Sequence, residues 1–312
     1  MEYVLLIVGF VLLVKGADFF VDGASSIAAK LKIPSLIIGL TVVSLGTSLP
    51  EAAVSISASV NGNNGISLGN VIGSNIFNLL VVVGVSAIIL HISTDKAIIK
   101  RDMPINIGIT ALLCVMLIDG MLSRIDAAVL LGCFALYMFI LIRSAIKNRV
   151  EAEEQKVLSW KKSAVFTVVG VAAIIGGGQL VVNNASAIAI SLGMGETLVG
   201  LTIVAVGTSL PELVTSIVAA KKGDSGIAMG NVIGSNIFNV LFIMGMTGVI
   251  SPITADLAFF TDSGLLIAVS VVMFIFALTN GRTSRREGVI STLMYLAYVP
   301  FIIMRAYGVF GA

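Results

Sequence analysis

The chain has 312 residues, 57% of them hydrophobic and 12% charged, with a net charge of +2 and a mean hydropathy of +1.08. A soluble globular domain carries roughly 25% charged residues, so this composition argues against a soluble core and for a chain that lives in a bilayer. The near-even charge balance gives no reason to expect a nucleic-acid partner, and no GxxxxGK[ST] stretch is present to support ATP-driven transport.

Read in chain order, the first apolar run lacks a basic leader and a small-x-small cleavage site before Lys15, so it reads as a retained span. Ten apolar segments follow one another at about 3–27, 34–60, 65–90, 104–120, 125–146, 164–190, 196–220, 226–250, 259–279 and 288–308. Most approach the ~20 residues that cross a bilayer. The longest polar stretch divides them five and five, giving a first unit at 1–147, a linker at 148–163 and a second unit at 164–312. Lys15 and Asp18 stand at i, i+3 and read as a simple pair. His91 and Trp160 read as interfacial residues. Cys114 and Cys133 read as small packing residues, and Gly176–Gly178 as a place where helices approach closely. The loops after the odd-numbered spans, with the adjoining span ends, hold sixteen Lys and Arg. The opposite loops hold only Arg124 and Arg305. The positive-inside rule places the first set in the cytoplasm of a plasma-membrane protein, with both termini outside.

Two stretches recur at an offset of 161. GLTVVSLGTSLPE at 39–51 matches GLTIVAVGTSLPE at 200–212 in ten of thirteen positions, and GNVIGSNIFN at 69–78 is identical to 230–239. Five spans is an odd number, so the second unit enters the membrane from the opposite side. The expectation is an all-α integral membrane fold of ten helices in two inverted five-helix repeats with broken core helices, a plan that secondary transporters use with the site near the midplane.

Within each repeat a carboxylate, Glu51 or Glu212, lies about halfway along an apolar segment, where a charge costs ~2.5–3.5 kcal/mol to insert and usually marks an ion path. No Lys or Arg lies within these spans to neutralise them. Pro50 and Pro211 precede the glutamates and remove a helical hydrogen bond, so each helix is expected to break at GTSLP and free carbonyls near Gly46 and Gly207. Thr47 and Glu51 stand at i, i+4, with Ser48 one position round, and Ser74 and Asn78 share the spacing in the next span. The second unit repeats the set with Thr208, Ser209, Glu212, Ser235 and Asn239. Gly73 and Gly234 are candidates for close backbone approach. Every proposed ligand is an oxygen donor. That suits Ca²⁺, whereas soft metals want Cys, Met or His.

GTSLPE with GNVIGSNIFN, twice, within two five-span halves, resembles the alpha-repeats of the cation/calcium exchanger superfamily, most of all the compact prokaryotic and archaeal sodium/calcium exchangers. The resemblance implies a Ca²⁺ site flanked by Na⁺ sites, no resident cofactor, and Ca²⁺, Na⁺ and the lipid bilayer as partners of a monomer. Glu51 and Glu212 would hold Ca²⁺ and Na⁺ in alternation. Thr47 and Thr208 would add carbonyl and hydroxyl oxygens. Ser48, Ser74, Ser209 and Ser235 would line Na⁺ sites, Ser44 and Ala205 would offer carbonyls, and Asn78 and Asn239 would complete the centre. Potassium-dependent members carry Asp where Asn239 stands. The proton/calcium branch carries Glu after GN, where this chain has Val71 and Val232. The leading expectation is therefore an Na⁺/Ca²⁺ antiporter, not an enzyme. H⁺/Ca²⁺ exchange ranks second, a passive cation channel third, and an intramembrane enzyme last for want of a nucleophile–His pair or HExxH.

Overall fold

The structure, a computed structural model, describes residues 1–62, 64–90, 92–148, 157–195, 199, 202–203, 205–255 and 257–307. Helix α1 (Glu2–Leu31) is followed by a bent pair, α2 (Ser35–Thr47) and α3 (Leu49–Val60), whose axes differ by 49°. Then come α4 (Gly65–Ile89), α5 (Met103–Met116), α6 (Arg124–Lys147), α7 (Trp160–Ser191), α8 (Ala205–Thr208), α9 (Leu210–Lys221), α10 (Ser225–Ile250), α11 (Leu257–Asn280) and α12 (Arg285–Ala306). Among the described residues, seven helices are long and apolar enough to cross a bilayer, or eight when the bent pair counts as one span. The ten-span expectation is thus met only in part. Span four is a 14-residue helix entered through a π-helical turn (Ile98–Asp102), and span seven begins at 196–204, mostly outside the described residues. His91 also lies outside them.

The fold is all-helical apart from two two-residue ladders, which no sequence period could have signalled. β1 (Ile92–Ser93) pairs with β4 (Arg282–Thr283), and β2 (Met121–Leu122) pairs with β3 (Ile253–Thr254), both antiparallel. Each ladder ties a loop of the first unit to one of the second. The offset of 161 that governs the motifs also governs these elements: β1 recurs as β3 and β2 as β4. The capping box of Ser123 and Asp126 recurs as Ser284 and Glu287. Such a box satisfies two backbone donors at a helix start, and here it fixes where α6 and α12 begin.

Helices α4 and α10, which carry GNVIGSNIFN, are the interior of the molecule. In each, 78% of the apolar window is buried, against 17–33% in the other long helices. Around them α5, α6 and α11 supply a continuous apolar core that includes Leu113, Leu141 and Leu266. A second cluster joins α1, α7 and α9. There α1 and α7 touch through their backbones. A Cβ on Gly170 would lie 2.6 Å from the Phe20 nitrogen, and one on Gly177 would lie 2.8 Å from the Gly9 oxygen. Of the Gly176–Gly178 run only Gly177 makes so close an approach; no described atom lies within 4 Å of a Cβ at Gly176.

A few charged groups form ion pairs. Lys15 does meet Asp18, at 4.0 Å, but Asp18 is shared with Lys222, which also reaches Asp22 at 2.7 Å. Arg101, read from sequence as a loop charge, clamps the fully buried Asp102 with bonds of 2.8 and 3.0 Å, and Tyr137 of α6 donates to the same carboxylate at 3.1 Å. Trp160 takes the ammonium of Lys30 over its ring.

The backbone contact predicts a sharp contrast. Gly170→Ala should destabilise the protein by roughly 1–3 kcal/mol through overpacking, whereas Gly176→Ala should change the melting temperature little. Thermal unfolding of the two purified variants in detergent measures the difference, and equal melting temperatures would contradict the α1–α7 packing.

Candidate ion-binding centre

Each GTSLPE segment breaks where its proline requires. The chain leaves α2 at Thr47, passes through Ser48 (φ −85°, ψ 8°), and restarts as α3 with Pro50 in the first turn, where a missing N–H does no harm. The second copy repeats this at Ser209 (φ −92°, ψ 6°) and Pro211. Glu51 and Glu212 therefore fall in the first turn of α3 and α9, where the positive end of the helix dipole favours an anion. Both are fully buried.

The two breaks face each other, and their side chains cross. Ser48 Oγ donates to Glu212 Oε1 at 2.8 Å, and Ser209 Oγ donates to Glu51 Oε1 at 3.0 Å. Ser235 adds a longer bond to Glu212 at 3.4 Å. None of the ion pairs among the described residues includes either glutamate, and hydroxyls of both units donate to them. Thr47 Oγ1 lies 2.9 Å from Asn231 Oδ1. The Ser44 carbonyl accepts from Ser48 N at 3.0 Å. Thr208 closes α8, which Ala205 opens; the side chain of Ala205 is outside what the structure describes.

The next helix of each unit completes the centre. Asn78 and Asn239 each open a π-helical turn (Asn78–Val82 and Asn239–Ile243), a widening often found at functional sites. Buried oxygens with no hydrogen-bond partner among the described residues are carried by these segments: Glu51 Oε2, Glu212 Oε2, Asn78 Oδ1, Asn239 Oδ1 and Ser74 Oγ. Elsewhere such atoms are hydroxyls and one amide oxygen, so among the described residues the only carboxylate oxygens in that condition are these two. A buried unpaired acceptor calls for an explanation, and an oxygen-only set of this kind fits a hard cation. Among the described residues no three His, Cys, Asp or Glu side chains gather.

Four asparagines within the motif went unassigned from sequence. Asn70 Nδ2 reaches the Glu51 carbonyl (3.2 Å) and Ser55 (2.9 Å), and Asn231 Nδ2 reaches the Glu212 carbonyl (3.3 Å) and Ser216 (3.0 Å). Asn75 and Asn236 bridge the two units. Their identity in both motif copies was the signal that could have found them.

The two glycine faces differ. Gly234 packs hard on α2, with its Cβ position 2.7 Å from Ser44 Oγ and 2.8 Å from Leu40 Cα, while no described atom lies within 4 Å of the Gly73 position. Gly65 and Gly69, on the same face as Gly73, line a cavity of about 310 Å³ with Ile72, Thr254, Phe259, Asp262 and Arg305. Arg305 and Asp262 close its rim as a bidentate pair at 2.6 and 2.9 Å.

The model of the sodium/calcium exchanger protein family matches residues 1–143 and 162–304. The chain belongs to that family. It is similar to the sodium/calcium exchanger MaX1 of Methanosarcina acetivorans, 34% identical over 96% of this chain and 97% of that protein. It is also similar to the inner membrane protein YrbG of Escherichia coli, 37% identical over 91% and 90%. Solved structures of the sodium–calcium exchanger NCX_Mj superpose with a TM-score of 0.85 at 32% identity when soaked without Na⁺ or Ca²⁺, covering 96% of this chain and 98% of that one. With both ions present the TM-score is 0.84 at 34% identity. The chain is accordingly a multi-pass membrane protein with the fold of that exchanger.

Two fully buried carboxylates with no ion-pair partner among the described residues should destabilise the protein when no cation is supplied. Glu51→Gln and Glu212→Gln should therefore melt several degrees higher than the parent in cation-free buffer and lose the stabilisation that added cation gives it. A drop in melting temperature for both would make the carboxylates structural.

Proposed function

We propose that this chain is a sodium/calcium antiporter of the plasma membrane, in which Na⁺ entry drives Ca²⁺ movement through one shared site. The crossed bonds carry the reading: Ser48 to Glu212 and Ser209 to Glu51, with a partnerless oxygen left on each carboxylate. Two carboxylates balance one Ca²⁺. They also serve several Na⁺ ions when neutral oxygens assist. Because both loads use Glu51 and Glu212, one species must leave before the other binds, and that competition is the basis of antiport. The names of MaX1 and NCX_Mj as sodium/calcium exchangers favour this pairing of ions.

In this reading Thr47 and Thr208 contribute oxygens beside the carboxylates. Ser48, Ser74, Ser209 and Ser235 line the Na⁺ positions, Ser44 and Ala205 add carbonyls, and Asn78 and Asn239 form the centre. Both central residues are amides, so the centre adds no titratable group beyond the two glutamates, which favours sodium over proton coupling. The ten-span, inverted arrangement of 1–147 and 164–312 about the 148–163 linker accounts for which loops meet. The β1–β4 ladder joins the loops after spans three and nine, and β2–β3 joins those after spans four and eight, as alternation across ten spans requires. Both termini are then outside. All ligands come from one chain, so a monomer suffices.

The reading is tested by Ca²⁺ uptake into proteoliposomes given an outward Na⁺ gradient, a pH gradient, or neither. Uptake is expected with the Na⁺ gradient alone, and abolished in Glu51→Gln and Glu212→Gln. Uptake driven only by the pH gradient would replace sodium with protons, and uptake without either would make the protein a channel.

Orientation has its own test. In a background lacking Cys114 and Cys133, Lys221→Cys should be shielded from an impermeant thiol reagent in intact cells while Met121→Cys reacts. The reverse pattern would invert the topology.

A further inference from the structure

Asn75 and Asn236 occupy the same place in the two copies of GNVIGSNIFN, three residues before Asn78 and Asn239, and both are fully buried. Asn75 Nδ2 donates to the Asn236 backbone carbonyl at 3.1 Å, and Asn236 Nδ2 donates to the Asn75 carbonyl at 3.2 Å. At their other ends, Asn75 Oδ1 accepts from Asn239 Nδ2 at 3.0 Å, and Asn236 Oδ1 accepts from Asn78 Nδ2 at 3.1 Å.

The order of these bonds fixes more than position. An asparagine amide is nearly symmetric in shape, and a half-turn exchanges its oxygen for an NH₂ group. Such a turn in Asn78 or Asn239 would aim N–H dipoles at a cation where an oxygen is needed. A backbone carbonyl, however, can only accept. It therefore dictates that Asn75 and Asn236 point nitrogen towards it and oxygen away. That oxygen in turn can only accept, so Asn239 and Asn78 must offer it their nitrogens. Their own Oδ1 atoms are then left facing inward, and these are among the buried oxygens without a partner among the described residues.

Resting on the exchanger reading above, we propose that Asn75 and Asn236 are positioning residues that set the amide polarity of the opposite unit's ion ligand, Asn75 acting on Asn239 and Asn236 on Asn78. Each relay starts at a backbone carbonyl, crosses the interface between the units, and ends in a carbonyl oxygen presented to the ion. Neither positioning residue touches the ion.

A carboxylate supplies the test, because its two oxygens are equivalent and a half-turn changes nothing. Binding of Ca²⁺, and separately of Na⁺, is measured by titration calorimetry on the purified full chain, with melting temperature recorded for every variant. Asn75→Ala should weaken cation binding by about tenfold, the scale of one lost hydrogen bond to a charged or fully buried group. In an Asn239→Asp background the same change should cost less than about threefold. Asn236→Ala, alone and with Asn78→Asp, provides the mirror experiment. Asn75→Ser, whose side chain is one atom shorter, replaces the alanine variant if that fails to fold. An equal loss in both backgrounds would show a purely structural role and overturn the proposal, as would no loss with Asn239 in place. If the parent chain binds Na⁺ but not Ca²⁺, the exchanger reading fails while the Na⁺ titrations still decide the role of Asn75 and Asn236.

Discussion

Two carboxylates sit buried in the middle of an apolar bundle with no ion-pair partner among the described residues, and the surrounding architecture follows from keeping them there. Isolated ions cannot be carried into such surroundings unless hydrogen bonds or counter-ions offset the loss of water. The chain supplies hydroxyl donors from across the interface, Ser48 to Glu212 and Ser209 to Glu51, and helix N-termini from the glutamates' own segments. It stops short of full compensation, since one oxygen on each carboxylate has no donor among the described residues.

Much of this centre was legible in the sequence. A carboxylate in an apolar run stands out by its cost, and a second one 161 residues later with the same neighbours leaves little room for accident. The break was legible as well, because proline dictates it; the structure places it at Ser48 and Ser209, just ahead of Pro50 and Pro211. What sequence spacing could not give was partnership. The i, i+4 rule places Thr47 beside Glu51, yet the break falls between them, and the Ser209 hydroxyl that donates to the Glu51 carboxylate comes from the other unit. The asparagine bonds were hidden for the same reason. So was the salt bridge from Lys222 to Asp22, 200 residues apart, and two-residue ladders carry no alternation to read. The span count suffered where a short helix and a π-helical turn stand in for one long apolar run.

Packing divides the molecule into parts with different textures. Helices α4 and α10 are enclosed by large side chains and joined through four asparagine bonds. Helices α1 and α7 instead meet backbone to backbone at glycines and share a separate apolar cluster with α9. The contact of α1 with the loop after α9 is ionic, through Lys222. Directional bonds in the centre resist sliding, whereas smooth glycine surfaces and exposed ion pairs resist it little. The asparagines of the centre thus lie on the most enclosed elements of the molecule.

The crossed bonds also bear on how such a chain can change over time. Ser48 answers to Glu212, Asn75 to Asn239, and each of these dependencies has a mirror image running the other way. Neither unit holds a complete site, so a substitution in one copy of the motif is tested at once against the unaltered copy. The ten identical letters of GNVIGSNIFN beside the looser flanks VDGASSIAAKL and VNNASAIAISL are what that mutual restraint leaves behind: two halves of one chain that inherit together the parts they lend each other.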